Sequence, residues 1–426
     1  MMEKYDVIVV GGGAAGMMAA GRAAETGCRV LLLEKMQRLG SKLAITGKGR
    51  CNITNMEALE SFLPHYGTNG KFLWNCYARF FNQDLIDFLE LQGMSIVVER
   101  GKRVFPAHDD AEGIVRCLHN YLKKNGVEIR TGFKVDEILV SDEFAAGVQG
   151  DGIDIPGESV IVSTGGLSYP LTGSTGDGYR FAMNLGHRVR KPEPNLVPVE
   201  IEEDFGTTLQ GLSLKNIELT AFASGRRFAR LFGEMLFTHF GVSGPIVLTM
   251  SREVVKMLSG NRVTLLINFK PALTKAQLEQ RLLREFSQYG KMKYKNVLKH
   301  LLPMKLVNVF VGVSGISADK PVCEINRLER QRIIQFLNSF PLTVKGVRPI
   351  DEAIVTNGGI ALDEIDPQTM QSRVVKGLFF CGEVIDIAGD TGGYNLQAAF
   401  STGYVAGESA CSICKRKSVD DNPRVV

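Results

Sequence analysis

Tyr5-Asp-Val-Ile-Val-Val10 runs straight into Gly11-Gly-Gly-Ala-Ala-Gly16, and this junction decides the fold. Tyr5–Val10 is a short β-branched run ending in glycines, the composition of a strand. Gly11, Gly13 and Gly16 then form G-x-G-x-x-G. The first glycine permits a tight turn, the second lets backbone approach a pyrophosphate, and the third lets a helix pack closely on the sheet. Ala14–Glu25 predicts a small-residue helix and Arg29–Leu33 a second strand, which completes the opening βαβ unit of a parallel sheet. The N-terminus of such a helix offers unpaired N–H groups and about half a positive charge to phosphates. Glu34, at the end of the second strand, would accept hydrogen bonds from adenosine ribose hydroxyls and repel a 2′-phosphate. The expected dinucleotide contacts in this segment are Gly11, Gly13, Ala14, Ala15, Gly16, Glu34 and Lys35.

The glycine pattern alone leaves NAD and FAD open. A segment near the other end of the chain decides for FAD. Gly377-Leu-Phe-Phe-Cys-Gly382-Glu383 predicts a strand ending in Gly-Glu. Gly389, Gly392, Gly393, Tyr394 and Asn395 follow, and then a small-residue helix over Leu396–Ala410. This looks like the second fingerprint of two-fingerprint flavoproteins. In those proteins the acidic residue holds the ribityl chain and the helix N-terminus faces the pyrimidine edge of the isoalloxazine ring. A reduced flavin is negative at N1 and O2, so a helix dipole there stabilises it. A non-covalent FAD would therefore also touch Gly382, Glu383, Gly393, Tyr394, Asn395 and Leu396, with Val135, Thr164 and Gly165 at other strand ends.

Between Gly40 and Asn55 lies GSKLAITGKGRCNITN, a loop suited to wrap a phosphate and reach the flavin. Its expected contacts are Lys42, Thr46, Gly47, Arg50, Cys51 and Asn52. With this loop the chain resembles the NAD(P)/FAD-dependent oxidoreductase family of flavoproteins, which includes aminoacetone oxidase and a bile-acid ring reductase. The resemblance also covers Arg103–Pro106, Thr164–Pro170, Thr172–Gly178, Gly233–Pro245 and Gly382–Gly403, and so spans nearly the whole chain. It implies an α/β fold: a Rossmann-type FAD domain built from both chain ends, with an inserted β-barrel-like domain carrying a small helical module. One departure is Lys48, where relatives often carry glycine.

Composition draws matching boundaries. The chain has 426 residues, enough for two or three domains. Prolines 192, 194 and 198 mark a linker or edge strand, strands are expected from Val197 to about Phe269, and α/β patterning returns after about Lys345. The expected domains are therefore 1–192 with 345–426 for FAD, 193–270 with 306–344 as the β-rich insertion, and 271–305 as a helical module. Earlier in the chain, Asp109 and Glu112 suit a capping box for a helix running to about Asn125. The first twenty residues read as strand and turn rather than a signal peptide, because Glu3 and Asp6 precede the apolar run and glycines break it. No apolar run is long enough to span a membrane. Eight cysteines without a scaffold rhythm suit a reducing, cytoplasmic setting, and Cys411 and Cys414 read as ordinary helix residues.

Catalytic groups are less legible than cofactor contacts. Position 56 is Met, which removes the cysteine pair of disulfide reductases, so Cys51 reads as loop packing before FAD contact or redox chemistry. His239 either shuttles a proton or holds a turn, and the turn is the expectation. Tyr394 either lines the flavin and donates a proton or packs, and Asp177 reads as a turn or cap residue. The remaining histidines show no metal-ligand spacing.

The expected function is hydride transfer through flavin N5 to or from a small organic substrate. One variant is NAD(P)H-driven reduction of a C=C bond, and the other is oxygen-coupled oxidation of an amine. A second G-x-G-x-x-G is not evident, so NAD(P)H would be a transient donor. A net charge of +4 speaks against a dedicated nucleic-acid binder. Residues 270–305, however, hold nine Lys or Arg against two Glu. They read first as solvated helices, and alternatively as the surface of a flavin-bearing RNA-associated protein.

Overall fold

Strand Tyr5–Val10 lies between two parallel neighbours, Val30–Glu34 and Ile153–Val162, in the computed structural model, which describes residues 4–108 and 110–420. Val7, Ile8 and Val9 are wholly buried, as a strand covered on both faces requires. Glu128–Thr131 extends the sheet beyond Val30–Glu34, and Leu378–Phe380 pairs in parallel with the C-terminal half of Ile153–Val162. The N-terminal half of that long strand instead joins an antiparallel meander with Val135–Ser141 and Phe144–Gly150. One strand thus serves both sheets' chemistry, and its C-terminal end faces the same edge as the ends of Tyr5–Val10 and Leu378–Phe380. Ligands of open parallel sheets bind at that edge.

Helix Ala14–Glu25 packs beneath the long C-terminal helix Tyr394–Asp420. Two glycines make the approach possible. A Cβ on Gly403 would meet the carbonyl oxygen of Ala15 at 2.3 Å, and one on Gly407 would meet that of Ala19 at 2.2 Å. This contact carries Cys411 to the far end of the first helix, where it forms a disulfide with Cys28 across 383 residues. The expectation that Cys411 is an unpaired helix residue is thereby corrected. Spacing along the chain holds no trace of a pair so far apart. Cys414 remains a thiol and donates to the carbonyl oxygen of Asp6 at 3.1 Å.

The chain divides into two units, Met1–Glu193 with Ile350–Val426, and Pro194–Pro349. The second is built on a closed six-stranded barrel in the order Val199–Ile201, Gly241–Ser243, Arg226–Phe237, Ser213–Ala223, Val263–Asn268 and Phe340–Val347. Val263–Asn268 alternates buried and half-buried residues, the period-two pattern of a filled barrel. Two stretches read as strand-rich prove helical. Pro245–Leu258 is a helix opened by proline after Gly244, and residues 306–344 contain most of Met304–Ser314 and all of Arg327–Asn338 before the last strand. The helical module therefore runs well past 305. Leu278, Leu282 and Phe286 of helix Lys275–Tyr289 share its core with Ile333, Ile334 and Leu337. Each such buried side chain contributes about 1.5–3 kcal/mol. The helix expected from Asp109 is Ala111–Lys124 with Asp110 at its N-cap, and Asp109 itself lies outside the described residues.

Candidate cofactor and active site

The turn after Tyr5–Val10 needs two of its three fingerprint glycines for its own geometry. Gly11 has φ of 105°, and a Cβ there would meet the carbonyl oxygen of Ser163 at 2.6 Å. A Cβ on Gly16 would lie 1.9 Å from the carbonyl oxygen of Gly11. Gly13 has ordinary φ and open space around the Cβ position, so the backbone itself does not require a glycine there. It is the N-cap of Ala14–Glu25, with no side-chain cap and no acidic residue in the first turn. Among the described residues no side chain therefore caps the positive end of this helix, the chemistry an anion site requires.

Glu34 leaves the second strand and accepts from the backbone N–H of Gly12 and of Met36, both at 2.7 Å. These bonds hold the carboxylate beside the turn with lone pairs to spare. Behind it, Phe133 N–H donates to the Glu34 carbonyl oxygen at 3.0 Å, which brings the start of strand Val135–Ser141 to the same end of the sheet. Lys35 turns to Asp177, 2.6 Å away, and to Thr175. Asp177 is thus the first residue of a helix and also the counter-ion of Lys35. Burial works against its charge, but Lys35, Thr175 and Arg180 together outweigh that and hold its carboxyl below the usual range.

Lys42 and Glu383 join the two ends of the chain. Lys42 Nζ lies 2.6 Å from Glu383 Oε2 and 2.6 Å from Ser168 Oγ. The other carboxylate oxygen of Glu383 accepts from Thr356 N–H at 2.8 Å and Ser168 Oγ at 3.0 Å. Thr46 Oγ1 closes the Lys42 turn by donating to its carbonyl oxygen, and Gly47 has φ of 60° in the short 3₁₀ turn that follows. Arg50 pairs with Glu99 at 2.6 Å and lies 4.5 Å from the Phe105 ring centroid. The side chain of Lys48 lies outside those described.

Cys51 is wholly buried with φ of 54°, and burial pushes its thiol up to about 12. A thiol so far from ionising is a poor nucleophile, in keeping with packing. Two neighbours in the expected site are different. Asn52 Oδ1 and Thr164 Oγ1 are buried polar atoms without a hydrogen-bond partner among the described residues. Gly178 makes room for the latter, since a Cβ there would meet Thr164 Oγ1 at 2.3 Å. Unpaired buried polar atoms are costly, about 1–3 kcal/mol each, and call for a ligand or water. An anion-ready helix end, a poised carboxylate and two orphaned polar atoms in the predicted contact set fit a dinucleotide with a polar middle section.

The C-terminal loop is tied to the Gly40–Asn55 loop's strand. A Cβ on Gly393, φ 101°, would meet the backbone of Thr54 at 2.4 Å. Thr54 Oγ1 donates to Gln397 in the first turn of the final helix at 2.5 Å. Asn395 closes the loop by exchanging hydrogen bonds with the backbone of Gly389 at 2.7 and 3.0 Å. Gly382, φ 75°, passes against Ala15, while Gly165 takes φ of 74° and Leu396 is half-buried.

Beside this loop the fold assembles a group that sequence reasoning missed. His65 Nδ1 lies 2.8 Å from Asp390 Oδ2, and its Nε2 lies 3.2 Å from Glu57 Oε2. Tyr394 donates to the same Glu57 oxygen at 3.2 Å, and its ring stacks on the imidazole with centroids 3.9 Å apart. Partial burial disfavours the imidazolium, but the hydrogen bond and charge of Asp390, with Glu57 behind, outweigh it and raise the His65 pKa. Tyr394 is raised by burial, then by Glu57. No local signal could have found this set, because His65 and Asp390 are 325 residues apart. His239, by contrast, is exposed on the turn before Gly241 in the barrel unit and makes an edge contact with Phe240.

A family model described as HI0933-like protein Rossmann domain matches residues 5–409. The chain is 30% identical over 405 residues to the 3-dehydro-bile acid delta(4,6)-reductase of Clostridium scindens, covering 94% of this chain and 98% of that one. It is 32% identical over 410 residues to the ribosomal RNA dihydrouridine synthase of Haemophilus influenzae, covering 95% and 98%. Among solved structures, the open conformation of a flavocytochrome c3 fumarate reductase matches with a TM-score of 0.53 at 17% identity, over 97% of this chain and 79% of that one. The 3-ketosteroid-delta4-(5alpha)-dehydrogenase of Rhodococcus jostii matches at 0.51 and 14%, over 96% and 98%. These two likenesses concern the fold.

Proposed function

The chain belongs to the HI0933-like Rossmann-domain family of FAD-dependent oxidoreductases, and on that premise we propose that it reduces a carbon–carbon double bond conjugated to a carbonyl. The observation that carries this reading is the shared chemistry of its full-length relatives. One is a bile-acid delta(4,6)-reductase and the other makes dihydrouridine, so both names describe saturation of such a bond. The amine-oxidase variant has no comparable support.

In this reading the Gly11–Gly16 turn and the N-terminus of Ala14–Glu25 hold the pyrophosphate, and Glu34 holds the adenosine ribose. Asn52, Thr164, Lys42 and Glu383 line the polar middle. FAD held by these residues would supply hydride chemistry at N5 toward the β-carbon, with NADH or NADPH as the transient donor we assign to it. The α-carbon then needs a proton. Asp390 and Glu57 stabilise a proton on His65, and Tyr394 shares the Glu57 oxygen, so these four residues form a proton reserve at the loop over residues 389–395.

Deuterium tests the reading. Reduction with a deuteride donor in ordinary water should place one deuterium on the β-carbon of an unsaturated carbonyl substrate and one protium on the α-carbon. No saturated product from any conjugated carbonyl would contradict it.

A further inference from the structure

Helices Ala14–Glu25 and Tyr394–Asp420 both start at the candidate cofactor site, at Gly13 and Tyr394, and run side by side away from it. Their contact repeats every four residues along the final helix: Gly403 meets the backbone of Ala15, Gly407 that of Ala19, and Cys411 is bonded to Cys28 just beyond Glu25. The first two rungs are backbone resting on glycine, which permits close approach but offers no side-chain ridge against sliding. The third rung is covalent. Near it, Arg22 reaches Glu408 at 2.6 Å, and Glu408 also takes Arg79. These ion pairs survive reduction of the bridge, so the helices would stay together while their register is released.

The bridge is placed for thiol exchange. Cys411-x-x-Cys414 invites a bond within one helix, but the two sulfurs have different partners. Cys414 donates to the Asp6 carbonyl oxygen at 3.1 Å and lies 3.5 Å from Ser159 Oγ. Cys28 sits between exposed Gly27 and Arg29. Cys28 is 8% exposed and Cys411 only 1%, so an incoming thiolate meets the Cys28 sulfur first. Lys415, one helical turn beyond Cys411, donates to the Thr26 carbonyl oxygen, which lies 3.7 Å from Cys411 Sγ. An ammonium there stabilises a departing Cys411 thiolate.

We propose that Cys28–Cys411 is a redox switch on cofactor retention. Closed, it fixes the register of the two helices whose N-termini face FAD; open, it lets that register drift. The bridge lies about 25 Å along the final helix from Tyr394, at a rise of about 1.5 Å per residue, so it acts through the helices and not by contact. Opening takes two electrons from a small dithiol. One thiolate of the dithiol attacks the Cys28 sulfur, the bond to Cys411 breaks, and Cys411 leaves as a thiolate that takes up a proton. The second thiol of the reductant loses its proton and displaces Cys28, which is protonated in turn, and the reductant departs as a disulfide. The proposal rests on the placement of FAD at these helix ends and not on the choice of substrate.

The test uses FAD-loaded, full-length protein, either oxidised or treated with dithiothreitol and desalted without oxygen. Flavin fluorescence reports the FAD released on dilution, and alkylation confirms that the six thiols of the oxidised form have become eight. Reduced protein should bind FAD about tenfold more weakly, as when about a tenth of the molecules hold the competent register, and reoxidation should restore the affinity. Cys28→Ser and Cys411→Ala should show the weaker affinity under both conditions, and Cys414→Ser should respond as the parent does. Reduction of the parent is reversible, so the result does not depend on how the variants fold. Equal affinity of oxidised and reduced parent overturns the proposal, as does loss of the response in Cys414→Ser, which would move the switch into the C-x-x-C pair. Oxidised protein that holds no FAD would contradict the cofactor placement itself, and the switch with it.

Discussion

Lys42 and Glu383, 341 residues apart in the chain, meet at 2.6 Å between ammonium and carboxylate. Both side chains are mostly buried, at 24% and 19% exposed. The pair therefore ties the loop after the first strand–helix–strand unit to the segment after Leu378–Phe380. Replacing Lys42 with Met leaves Glu383 with Thr356 and Ser168 but no counter-charge. We expect a loss of about 1.5–3 kcal/mol in urea denaturation, the range for a charge-assisted hydrogen bond, together with weaker FAD retention. Unchanged values of both would remove the pair from the account.

Two alanine substitutions in one turn separate conformation from access. Gly16→Ala places a Cβ 1.9 Å from the Gly11 carbonyl oxygen, so both stability and FAD affinity should collapse. Gly13→Ala meets nothing within 4 Å. It should leave the melting temperature of cofactor-free protein nearly unchanged while lowering FAD affinity about tenfold or more, because the methyl occupies the path of the phosphate. Equal behaviour of the two variants would contradict a phosphate at Gly13.

This turn is also where sequence served best. G-x-G-x-x-G with Glu34 carries its geometry locally, and so does the Gly-Glu and glycine-helix segment at the other end. Barrel strands such as Ser213–Ala223 show the buried alternation along their own length. What sequence hid is what distance along the chain conceals. His65 gains meaning only against Asp390, Cys411 only against Cys28, and Lys42 only against Glu383. The helix Arg327–Asn338 was obscured by its charge, because its three buried residues are too few to announce a periodic face.

His65 makes stability depend on pH in a definite direction. Its folded pKa lies above the ordinary 6.5, so its contribution is complete below about that pH and fades as pH rises through the folded value. The variant His65→Gln should be less stable than the parent by about 1 kcal/mol near pH 6, with the gap closing in alkaline buffer. Catalysis should lose its alkaline limb to the same substitution. A gap that widens with rising pH would reverse the assignment of charge.

Thiol counting checks the disulfide. Alkylation of denatured, unreduced protein should label six cysteines, namely 51, 76, 117, 323, 381 and 414, and leave Cys28 and Cys411 unlabelled. Reduction should cost about 2–4 kcal/mol of stability. Eight labelled thiols without reductant would contradict the bond.

The central claim concerns a flavin that hands hydride to a conjugated double bond, and one anaerobic experiment addresses it directly. Protein loaded with FAD is reduced by NADH, NADPH or dithionite and mixed, without oxygen, with conjugated carbonyl compounds and with their saturated counterparts. The account predicts that the oxidised flavin spectrum returns with the unsaturated compounds alone and that one equivalent of saturated product forms per flavin. A protein that cannot be loaded with FAD, or a reduced flavin that ignores every conjugated carbonyl while amines bleach the oxidised form, would contradict it.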